Sequence, residues 1–472
     1  MKKLTSILFM AAVLQACSHQ PAQVNHPVQP EPVIKNTAQL LENKNPNILL
    51  ISDQAFAGSS VNVLAGVKQT VFTAGEFQFS AFYNADAHLV IAKRKLDSQQ
   101  WQTQVTDFKG NVNDAHNHIS LVADGDGYLH LAWDHHNTQL KYARSTQPYS
   151  LQLKKQPMLA KTDNEFKTML EHSVTYPQFY QLKNGDLLFA YRNGGSGRGN
   201  LVLNQYKHNS KQWQRLHDNL IDGEGKRSAY WDMAIDENGV LHLAWIWRET
   251  PDVASNHDIA YARSDDQGLS WQTIDKQAYQ LPIVASTSDI VKQIPKNHKL
   301  MNPPVVAADS NSMPFIASYW ADSPTDKPGY KIVYAAKPTA TGYQWNTLKA
   351  PKVAENFELS GHGTKRPPIS RAALLVDTQN HQRTLHLIYR NDFQQGHILL
   401  STVDDLTDPI WQQQTLVNQN MGAWEPSIDP VQWNTYKQAH LLLQTVGQDD
   451  GNDAQSLDLA PSNIELLIWK SN

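Results

Sequence analysis

The chain has 472 residues, of which 40% are hydrophobic and 18% charged, with 13 Trp and 17 Tyr. This composition is typical of a folded chain with a substantial core and excludes a disordered one. The net charge of −4 argues against nucleic acid as a partner, and the single cysteine excludes both a disulfide framework and a site built on paired cysteines.

The N-terminus has the pattern of an export signal. Residues 1–3 are positively charged, residues 4–13 are apolar, and Leu-Gln-Ala-Cys follows, ending at Cys17. This resembles a bacterial lipoprotein signal, so residues 1–16 are predicted to be a signal peptide and Cys17 to be lipidated. Ser18 after the cysteine is typical of sorting to the outer membrane. An ordinary secretory signal with an incidental cysteine is the alternative.

The segment after the signal is rich in Pro, Gln and Asn. Residues 17–45 are therefore predicted to form a flexible, lipid-anchored tether. No later segment has the length and apolar character of a membrane span. Residues 46–472 are predicted to form one catalytic domain.

A pair of apolar strands recurs along this domain. Each copy has a short turn, an apolar strand ending in an aromatic residue, a second apolar strand and often a Trp. The seven copies begin near residues 77, 127, 185, 239, 314, 384 and 439. Spacings of roughly 50 to 75 residues suit the four-stranded blades of a propeller. The sequence therefore predicts an all-β fold, a seven-bladed β-propeller of four-stranded antiparallel blades, with six or eight blades as alternative counts and only minor helices.

One short motif supports this fold independently. Residues 264–271 read Ser-Asp-Asp-Gln-Gly-Leu-Ser-Trp, which matches the Asp-box pattern of sialidase-like propellers. The Asp is expected to accept backbone N–H groups in a hairpin turn, the Gly to take a positive φ, and the Trp to pack between blades. We interpret the motif as a marker of the fold and not as a catalytic group.

Two residue pairs are predicted to lie on one rim of the propeller. In antiparallel strands, residues equidistant from the connecting turn face each other. His116 and His136 lie ten residues on either side of one turn. Tyr176 and Arg192 lie eight residues on either side of the next. Both pairs join a strand start to the following strand end, so we expect all four side chains at one mouth of the channel.

The same construction places further polar residues at this mouth, from the fourth and sixth copies. They are Ser228, Tyr230, Arg248, Ser370, Arg371 and Arg390. Such a mouth suits an anionic substrate that must lose a proton, because Arg can hold a carboxylate bidentately while Tyr or His acts as base and acid. The sequence offers no clear pair of facing carboxylates, nucleophile elbow, phosphate loop or HExxH motif. A zinc site in the Asp- and His-rich runs at 114–118 and 134–136 is an alternative.

Several motifs resemble those of one family of propellers. They are His-Asn-His-Ile-Ser at 116–120, Asp-Gly-Tyr-Leu-His at 126–130, Trp-Asp-His-His at 133–136, Tyr-Pro at 176–177 and Tyr-Arg-Asn at 191–193. The chain after about residue 45 resembles the BNR-4-type propellers, a group that includes the ulvan lyases of marine bacteria. The resemblance implies β-elimination on a sulfated algal polysaccharide of rhamnose 3-sulfate and uronic acids.

The resemblance also implies roles for individual residues. His116 and Tyr176 would be the catalytic acid and base, in an order that the sequence leaves open. Arg192 would neutralise the uronate carboxylate. His136 would contact substrate or assist proton transfer, with the adjacent His135 as its rival.

Other residues are expected to bind the substrate, because sulfate esters need cations and sugar faces stack on aromatic rings. The predicted substrate-binding residues are His118, His135, Asn193, Tyr230, Arg248, Trp320, Arg366 and Arg371. Further candidates are Lys365, Arg227, Arg390 and Trp231. His118 also competes with His116 for the catalytic role, since two residues apart on one strand they would point to the same side.

The implied chemistry removes the weakly acidic C5 proton of a uronate while Arg192 draws charge into the carboxylate. Elimination of the O4 leaving group then gives a 4,5-unsaturated uronate. The arginine takes the part that a cation has in calcium-dependent lyases, so no cofactor is expected for the chemistry, although a structural divalent cation is compatible with the sequence.

Two other functions fit parts of the sequence. A sialidase-type glycoside hydrolase would share the propeller and the Asp box, and would need an arginine cluster with a Tyr–Glu pair. A non-catalytic, glycan-binding lipoprotein on the bacterial surface would bind polysaccharide without forming product.

Overall fold

The computed structural model describes most of the chain after residue 45. The described ranges are 46–64, 70–159, 170–339, 342–350, 355–379, 382–451 and 455–471. The predicted signal peptide, Cys17 and the tether of residues 17–45 lie outside the described residues. Within the described ranges, no helix is both long enough and apolar enough to span a membrane.

Strands dominate the described residues. In chain order they are β1 Asn47–Ala55, β2 Val71–Ala74, β3 Phe77–Tyr83, β4 His88–Lys95, β5 Gln102–Lys109, β6 Ile119–Ala123, β7 Leu129–Trp133, β8 His136–Thr138, β9 Tyr142–Ser145, β10 Leu153–Lys155, β11 Val174–Gln181, β12 Leu187–Gly195, β13 Arg198–Lys207 and β14 Gln212–Ile221. The second half continues with β15 Ser228–Ile235, β16 Leu241–Arg248, β17 Asn256–Ser264, β18 Asp289–Lys292, β19 Val305–Ala308, β20 Pro314–Trp320, β21 Gly329–Thr339, β22 Gly342–Lys349, β23 Ala373–Gln379, β24 Gln382–Asn391, β25 His397–Val403, β26 Gln412–Val417, β27 Gln438–Gln444 and β28 Ser462–Lys470.

The helices of the described part are short, as the sequence predicts. The 3₁₀ turns are Ala115–Asn117, Leu170–His172, Val253–Ser255 and Asp392–Gln394, and one α-helix, α1, spans Pro430–Tyr436. Helix α1 begins because the Asp429 carboxylate accepts the N–H groups of Val431 and Gln432 at 3.0 and 3.3 Å, with Pro430 at the first turn.

The strands pair into four-stranded antiparallel sheets. One sheet has the order β2-β3-β4-β5, another β10-β9-β7-β6, and two more contain β19 to β22 and β23 to β26. Strands β11 to β14 and β15 to β18 are linked into a larger sheet by one parallel bridge between Gly199 and Ser228, and β8 pairs with its β11 edge. Strand β1 pairs with β28, which pairs with β27, so both ends of the described chain share a sheet.

Each of the seven strand pairs predicted from the repeat is present as an antiparallel pair. They are β3–β4, β7–β9, β12–β13, β16–β17, β20–β21, β24–β25 and β27–β28. The all-β class and the four-stranded antiparallel sheets are therefore confirmed, and the count of seven blades stays a prediction.

Aromatic and aliphatic side chains fill the spaces between sheets. Trp245, Trp247 and Trp271 pack in one buried cluster with residues of β11 to β13 and β15 to β17. Full burial of each such side chain contributes about 2 to 3 kcal/mol by removing apolar surface from water. Trp271 belongs to the predicted Asp box, where Gly268 has a φ of 90° and Asp266 accepts the Ser270 N–H at 2.9 Å. The motif forms the expected turn.

Candidate active site

An aspartate orients two histidines, one in the 3₁₀ turn before β6 and one at the start of β8. Asp114 caps the 3₁₀ turn of His116 by accepting its backbone N–H at 2.9 Å. The same carboxylate lies 2.7 Å from Nδ1 of His116 and 2.6 Å from Nδ1 of His136, the first residue of β8. The two imidazole rings stack with centroids 4.0 Å apart. Because an ionised carboxylate can only accept, Nδ1 is the nitrogen of each ring that donates to Asp114, and Nε2 is the other ring nitrogen.

The pKa of Asp114 reflects these two contacts. Burial of the carboxyl group alone would raise the pKa, but the hydrogen bonds and charges of His116 and His136 outweigh it and hold the pKa well below its usual range. Asp114 therefore stays ionised and serves as a fixed acceptor between the rings.

Tyr176 lies beside these histidines because β11 bulges at this residue. The pairing of β11 with β12 shifts between Thr175 and Gln178, and Tyr176 has a φ of 55°, a left-handed conformation that costs a bulky residue about 1 to 3 kcal/mol. The bulge turns the Tyr176 ring toward the His116 ring, with centroids 5.7 Å apart. Such strain is typical of functional sites.

Two arginines and a second tyrosine complete the arrangement. The guanidinium of Arg192 lies 5.0 Å from the Tyr176 ring and donates to the Tyr230 hydroxyl at 3.2 Å. The guanidinium of Arg248 lies 5.0 Å from the Tyr230 ring. Ser228 pairs with Arg248 across β15 and β16, as the rim construction predicts.

The two tyrosines have opposite electrostatic environments. Burial and the neighbouring Tyr230 raise the pKa of Tyr176. Burial also acts to raise the pKa of Tyr230, but Arg248 and Arg192 outweigh it and lower that pKa below the ordinary value. Tyr176 is thus held in its protonated form, whereas Tyr230 is the more acidic phenol.

These side chains line a cavity of about 210 Å³. Its lining residues are Leu64, His116, His136, Tyr176, Gln178, Arg192, Ser196, Tyr230, Trp231, Arg248, Pro251, Asn302, Pro303, His362, Gly363, Thr364, Lys365 and Arg371. Among the residues that the structure describes, no carboxylate lines it. Two of its cations form ion pairs with carboxylates outside the lining: Arg371 with Glu425 at 2.7 Å, and Lys365 with Asp450. Arg192 and Arg248 have no carboxylate partner among the ion pairs of the described residues.

The structure brings together many of the predicted site residues. The four predicted catalytic residues and three of the predicted substrate-binding residues all line the cavity: His116, His136, Tyr176, Arg192, Tyr230, Arg248 and Arg371. Of the further candidates, Lys365 and Trp231 line it as well. Arg390 lies elsewhere, fully buried and paired with Asp392.

Two predicted histidines do not line the cavity. His118 is fully buried, and neither ring nitrogen has a hydrogen-bond partner among the described residues. His118 follows the 3₁₀ turn at residues 115–117, and its ring lies 6.4 Å from the Tyr176 ring, centroid to centroid. His135 is also fully buried, and its Nε2 accepts the backbone N–H of Lys141 at 3.1 Å. Neither His118 nor His135 is part of the cavity lining, and their predicted contact with substrate stays a prediction.

Three other predicted binding residues are also placed elsewhere. Trp320 is 3% exposed and packs in the core, where Lys331 lies 4.7 Å from its ring. Arg366 pairs with Asp392 at 2.6 Å outside the cavity lining. Asn193 is half-buried in β12 and also does not line the cavity. A strand-end aromatic is more often core than ligand-binding, which explains the position of Trp320.

Other residues of the site were not assigned from the sequence. Asp114 carried a signal, because an acidic residue two positions before a histidine is a common way to cap a turn and orient a ring. His362 and Thr364 lie on an irregular segment remote in sequence, where no periodic pattern indicates a site. The hydroxyl of Thr364 lies 3.3 Å from Nδ1 of His116.

One cluster of the described residues has the donor set of a metal site. One ligand atom each from Asp114, His116 and His136 lies within 4.8 Å of the others. Asp134, from the second run considered for zinc, instead pairs with Lys141.

Comparisons with known proteins give the family. A family model described as "BNR repeat-containing family member" matches residues 77–352. No curated protein matches the chain. The crystal structure of the polysaccharide lyase Uly1 is similar, with a TM-score of 0.65, 14% sequence identity, and coverage of 91% of this chain and 100% of that one. A PL25 ulvan lyase is similar with a TM-score of 0.53 and 13% identity, over 78% of this chain and 97% of that one, and a second structure of this lyase is bound to -[GlcA(1-4)Rha3S]-.

At these identities the similarity concerns the fold, which resembles that of the ulvan lyases and is propeller-like. The matched residues 77–352 contain every predicted catalytic residue and more than half of the chain. The chain belongs to the BNR repeat-containing family.

Proposed function

We propose that this protein is a polysaccharide lyase that cleaves a sulfated, uronic-acid-containing polysaccharide of the ulvan type by β-elimination. The observation that carries the proposal is the position of Tyr176 between a histidine and an arginine, His116 and Arg192, in one cavity. The similarity in fold to polysaccharide lyases supports it.

The carboxylate of the uronate would bind at Arg192 and Arg248. Both guanidinium groups lie against the Tyr230 ring, and neither has a described carboxylate that already neutralises it. A bidentate guanidinium stabilises negative charge as it moves into the carboxylate during C5 deprotonation. Arg192 therefore supplies the charge stabilisation, and the proposed reaction requires no cofactor.

The proton would move from C5 to Nε2 of His116. The hydrogen bond from Nδ1 to Asp114 assigns the role of general base to the other ring nitrogen, Nε2. Tyr176 would act as the acid, because its raised pKa keeps the phenol protonated until the leaving oxygen needs a proton. The C5–H and C4–O4 bonds break, the C4–C5 double bond forms, and O4 takes the phenolic proton. His136 contacts the same Asp114 carboxylate and would assist by orienting Asp114 and His116.

Sulfate esters would contact the other cations of the cavity lining, Lys365 and Arg371, and His362 belongs to the same lining. Because Asp450 and Glu425 partly neutralise these cations, they would favour a hydrogen-bonded sulfate ester over a second carboxylate.

The decisive experiment is incubation of the protein with ulvan, alginate, pectin and chondroitin sulfate. Ulvan should give rising ultraviolet absorbance from unsaturated uronates, and the other three should not. Reducing ends without unsaturation would favour the glycoside hydrolase instead. Tight binding of ulvan without any product would favour a glycan-binding lipoprotein.

The hydrolase has less support from the site. A sialidase-type site needs a Tyr–Glu pair, and the described lining of the cavity contains tyrosines but no glutamate. Glu425 is 2% exposed and engaged with Arg371.

The setting of the enzyme is also a proposal. We infer from the signal that Cys17 is lipidated and anchors the domain in the bacterial outer membrane, which would hold the enzyme near an extracellular polymer. Mass analysis of the mature protein for a lipidated N-terminal cysteine tests the anchor.

We also infer seven blades, six of four strands and a three-stranded one that contains β1, β28 and β27.

A further inference from the structure

The Nδ1 atoms of His116 and His136, which contact Asp114, do not touch substrate in the proposed reaction. Their arrangement nevertheless suits a ligand. The side chains of Asp114 and His116 are 8% and 11% exposed, and that of His136 is 28% exposed. The stacked rings differ in plane by only 18°, and both present Nδ1 to the same carboxylate. One carboxylate and two imidazole nitrogens therefore converge at one point beside the cavity.

We propose that Asp114, His116 and His136 form a binding site for zinc, and that zinc binding switches off the base. Two imidazoles with one carboxylate are a donor set that zinc prefers over calcium or magnesium, which take oxygen ligands. Three protein ligands beside an open cavity also leave a fourth position for water, as in zinc sites that exchange a ligand.

The distances are compatible with this exchange. Zinc–ligand bonds of about 2.1 Å at tetrahedral angles separate the donor atoms by about 3.3 to 3.4 Å. The carboxylate oxygens now lie 2.7 and 2.6 Å from the two Nδ1 atoms, so each gap must widen by about 0.7 Å. Because His136 comes from a different element, an edge strand, its distance to Asp114 can widen without any change in the 3₁₀ turn that contains His116.

Other acid–histidine contacts in the described residues lack this arrangement. Asp186 contacts one imidazole, that of His208, at 2.9 Å. His257 contacts Glu249 and Asp258, again with a single imidazole. Among the described residues, the Asp114 cluster is the group whose three donor atoms lie close enough to share an ion.

The functional consequence, which rests on the proposed function, follows from the tautomer. Zinc on Nδ1 of His116 requires the ring to carry its proton on Nε2, the atom assigned as the base. The ring then cannot accept the C5 proton, although substrate still binds at Arg192 and Arg248. Zinc would therefore lower kcat more than it raises KM.

Binding is tested with cobalt(II) as a spectroscopic substitute for zinc. The untagged protein should develop visible absorption bands with one cobalt per chain, and zinc should displace the cobalt. The variants Asp114→Asn and His136→Gln should each weaken cobalt binding at least about 10-fold. The control His208→Gln, which removes the histidine of a two-residue pair elsewhere, should bind as the wild type does.

The location is tested without variants by anomalous scattering from zinc-soaked crystals of the wild-type protein, and a peak should lie between the three side chains. A peak elsewhere, no cobalt spectrum, or unchanged cobalt affinity in both folded variants would overturn the site.

The inhibition is measured separately, as kcat and KM on ulvan with and without zinc, followed by chelator. We expect at least about a 10-fold, reversible loss of kcat. Binding without inhibition would overturn only the tautomer consequence. Absence of activity on any polysaccharide would contradict the proposed function and leave the metal site to the cobalt and diffraction measurements.

Discussion

His130 in β7 and His116 at the cavity both contact an aspartate, and they differ in what the other ring nitrogen meets. Nε2 of His130 lies 3.2 Å from Asp124, and its Nδ1 lies 2.7 Å from the hydroxyl of Tyr142, with the ring fully buried. For His116 the contact with Asp114 is made by Nδ1, and the ring lines the cavity.

The first arrangement recurs in the sheet of β16 and β17. Nε2 of His242 lies 3.1 Å from Asp236, and its Nδ1 lies 2.7 Å from the Tyr261 hydroxyl. Burial lowers the pKa of His242 despite the nearby Asp236. These histidines have both nitrogens occupied and serve to fix the turn to the strand. The same residue types thus stabilise the fold when both nitrogens are bonded within the core, and can do chemistry when one faces a cavity.

The largest expected effect comes from the cavity histidine. His116→Ala removes the proposed base and should lower kcat on ulvan about 1000-fold, with a melting temperature near that of the wild type. Initial rates from ultraviolet absorbance and a thermal melt measure both quantities. His208→Gln, the matched control outside the cavity, should keep wild-type kcat. A His116→Ala enzyme with kcat within a few-fold of the wild type would exclude His116 as the base.

The cavity arginine is expected to have the next largest effect. Arg192→Lys keeps the charge but loses the bidentate geometry, so kcat/KM should fall about 100-fold. Steady-state kinetics on ulvan measure this. Arg390→Lys is the matched control, because Arg390 is equally buried but paired with Asp392. It should lower stability with little change in kcat per folded molecule, and equal losses of kcat/KM in both variants would contradict the assignment.

The core histidine should show the opposite behaviour. His130→Ala leaves a cavity and removes one hydrogen-bond partner each from the buried Asp124 carboxylate and the Tyr142 hydroxyl, which should lower the free energy of unfolding by about 3 kcal/mol. Urea denaturation followed by fluorescence measures the change. His136→Ala, at a partly exposed side chain, should cost no more than about 1 kcal/mol. A greater loss for His136→Ala than for His130→Ala would reverse the comparison.

The sequence predicts the strand pairs well because each copy alternates apolar residues around a turn, and this pattern also sets the register. Ile119 pairs with Trp133 and Ser228 with Arg248, as equidistance from the turns requires. Equidistance therefore placed His116 near His136 and Tyr176 near Arg192, although a bulge at Tyr176 shifts the pairing by a residue.

The predicted positions differ from the observed ones where the local geometry departs from a regular strand. A 3₁₀ turn before β6 precedes the buried ring of His118, and a positive φ at Asp134 precedes the buried ring of His135. The segment that contains Thr364 reaches the cavity through tertiary packing alone, so no local pattern could identify it.

The smallest expected effect concerns pH and the second tyrosine. Arg248 and Arg192 outweigh burial and hold the pKa of Tyr230 below the ordinary value of about 10. As pH rises through this lowered pKa, a phenolate forms between the two guanidinium groups and competes with the substrate carboxylate. KM for ulvan should therefore rise a few-fold at alkaline pH, at a lower pH than an ordinary tyrosine would require.

Tyr230→Phe removes the ionisable phenol and keeps the ring that packs against Arg192 and Arg248. In this variant the alkaline rise in KM should disappear or move to higher pH, while kcat near neutral pH changes only a few-fold. Steady-state kinetics from pH 7 to about 10.5 measure both KM at alkaline pH and kcat near neutral pH. Unlike the histidine and arginine variants, this one separates binding from proton transfer, because Tyr176 and His116 are intact. If KM of Tyr230→Phe rises at alkaline pH just as that of the wild type does, another group causes the rise. The pKa values of Tyr176 and Tyr230 would then not differ in the way their surroundings indicate.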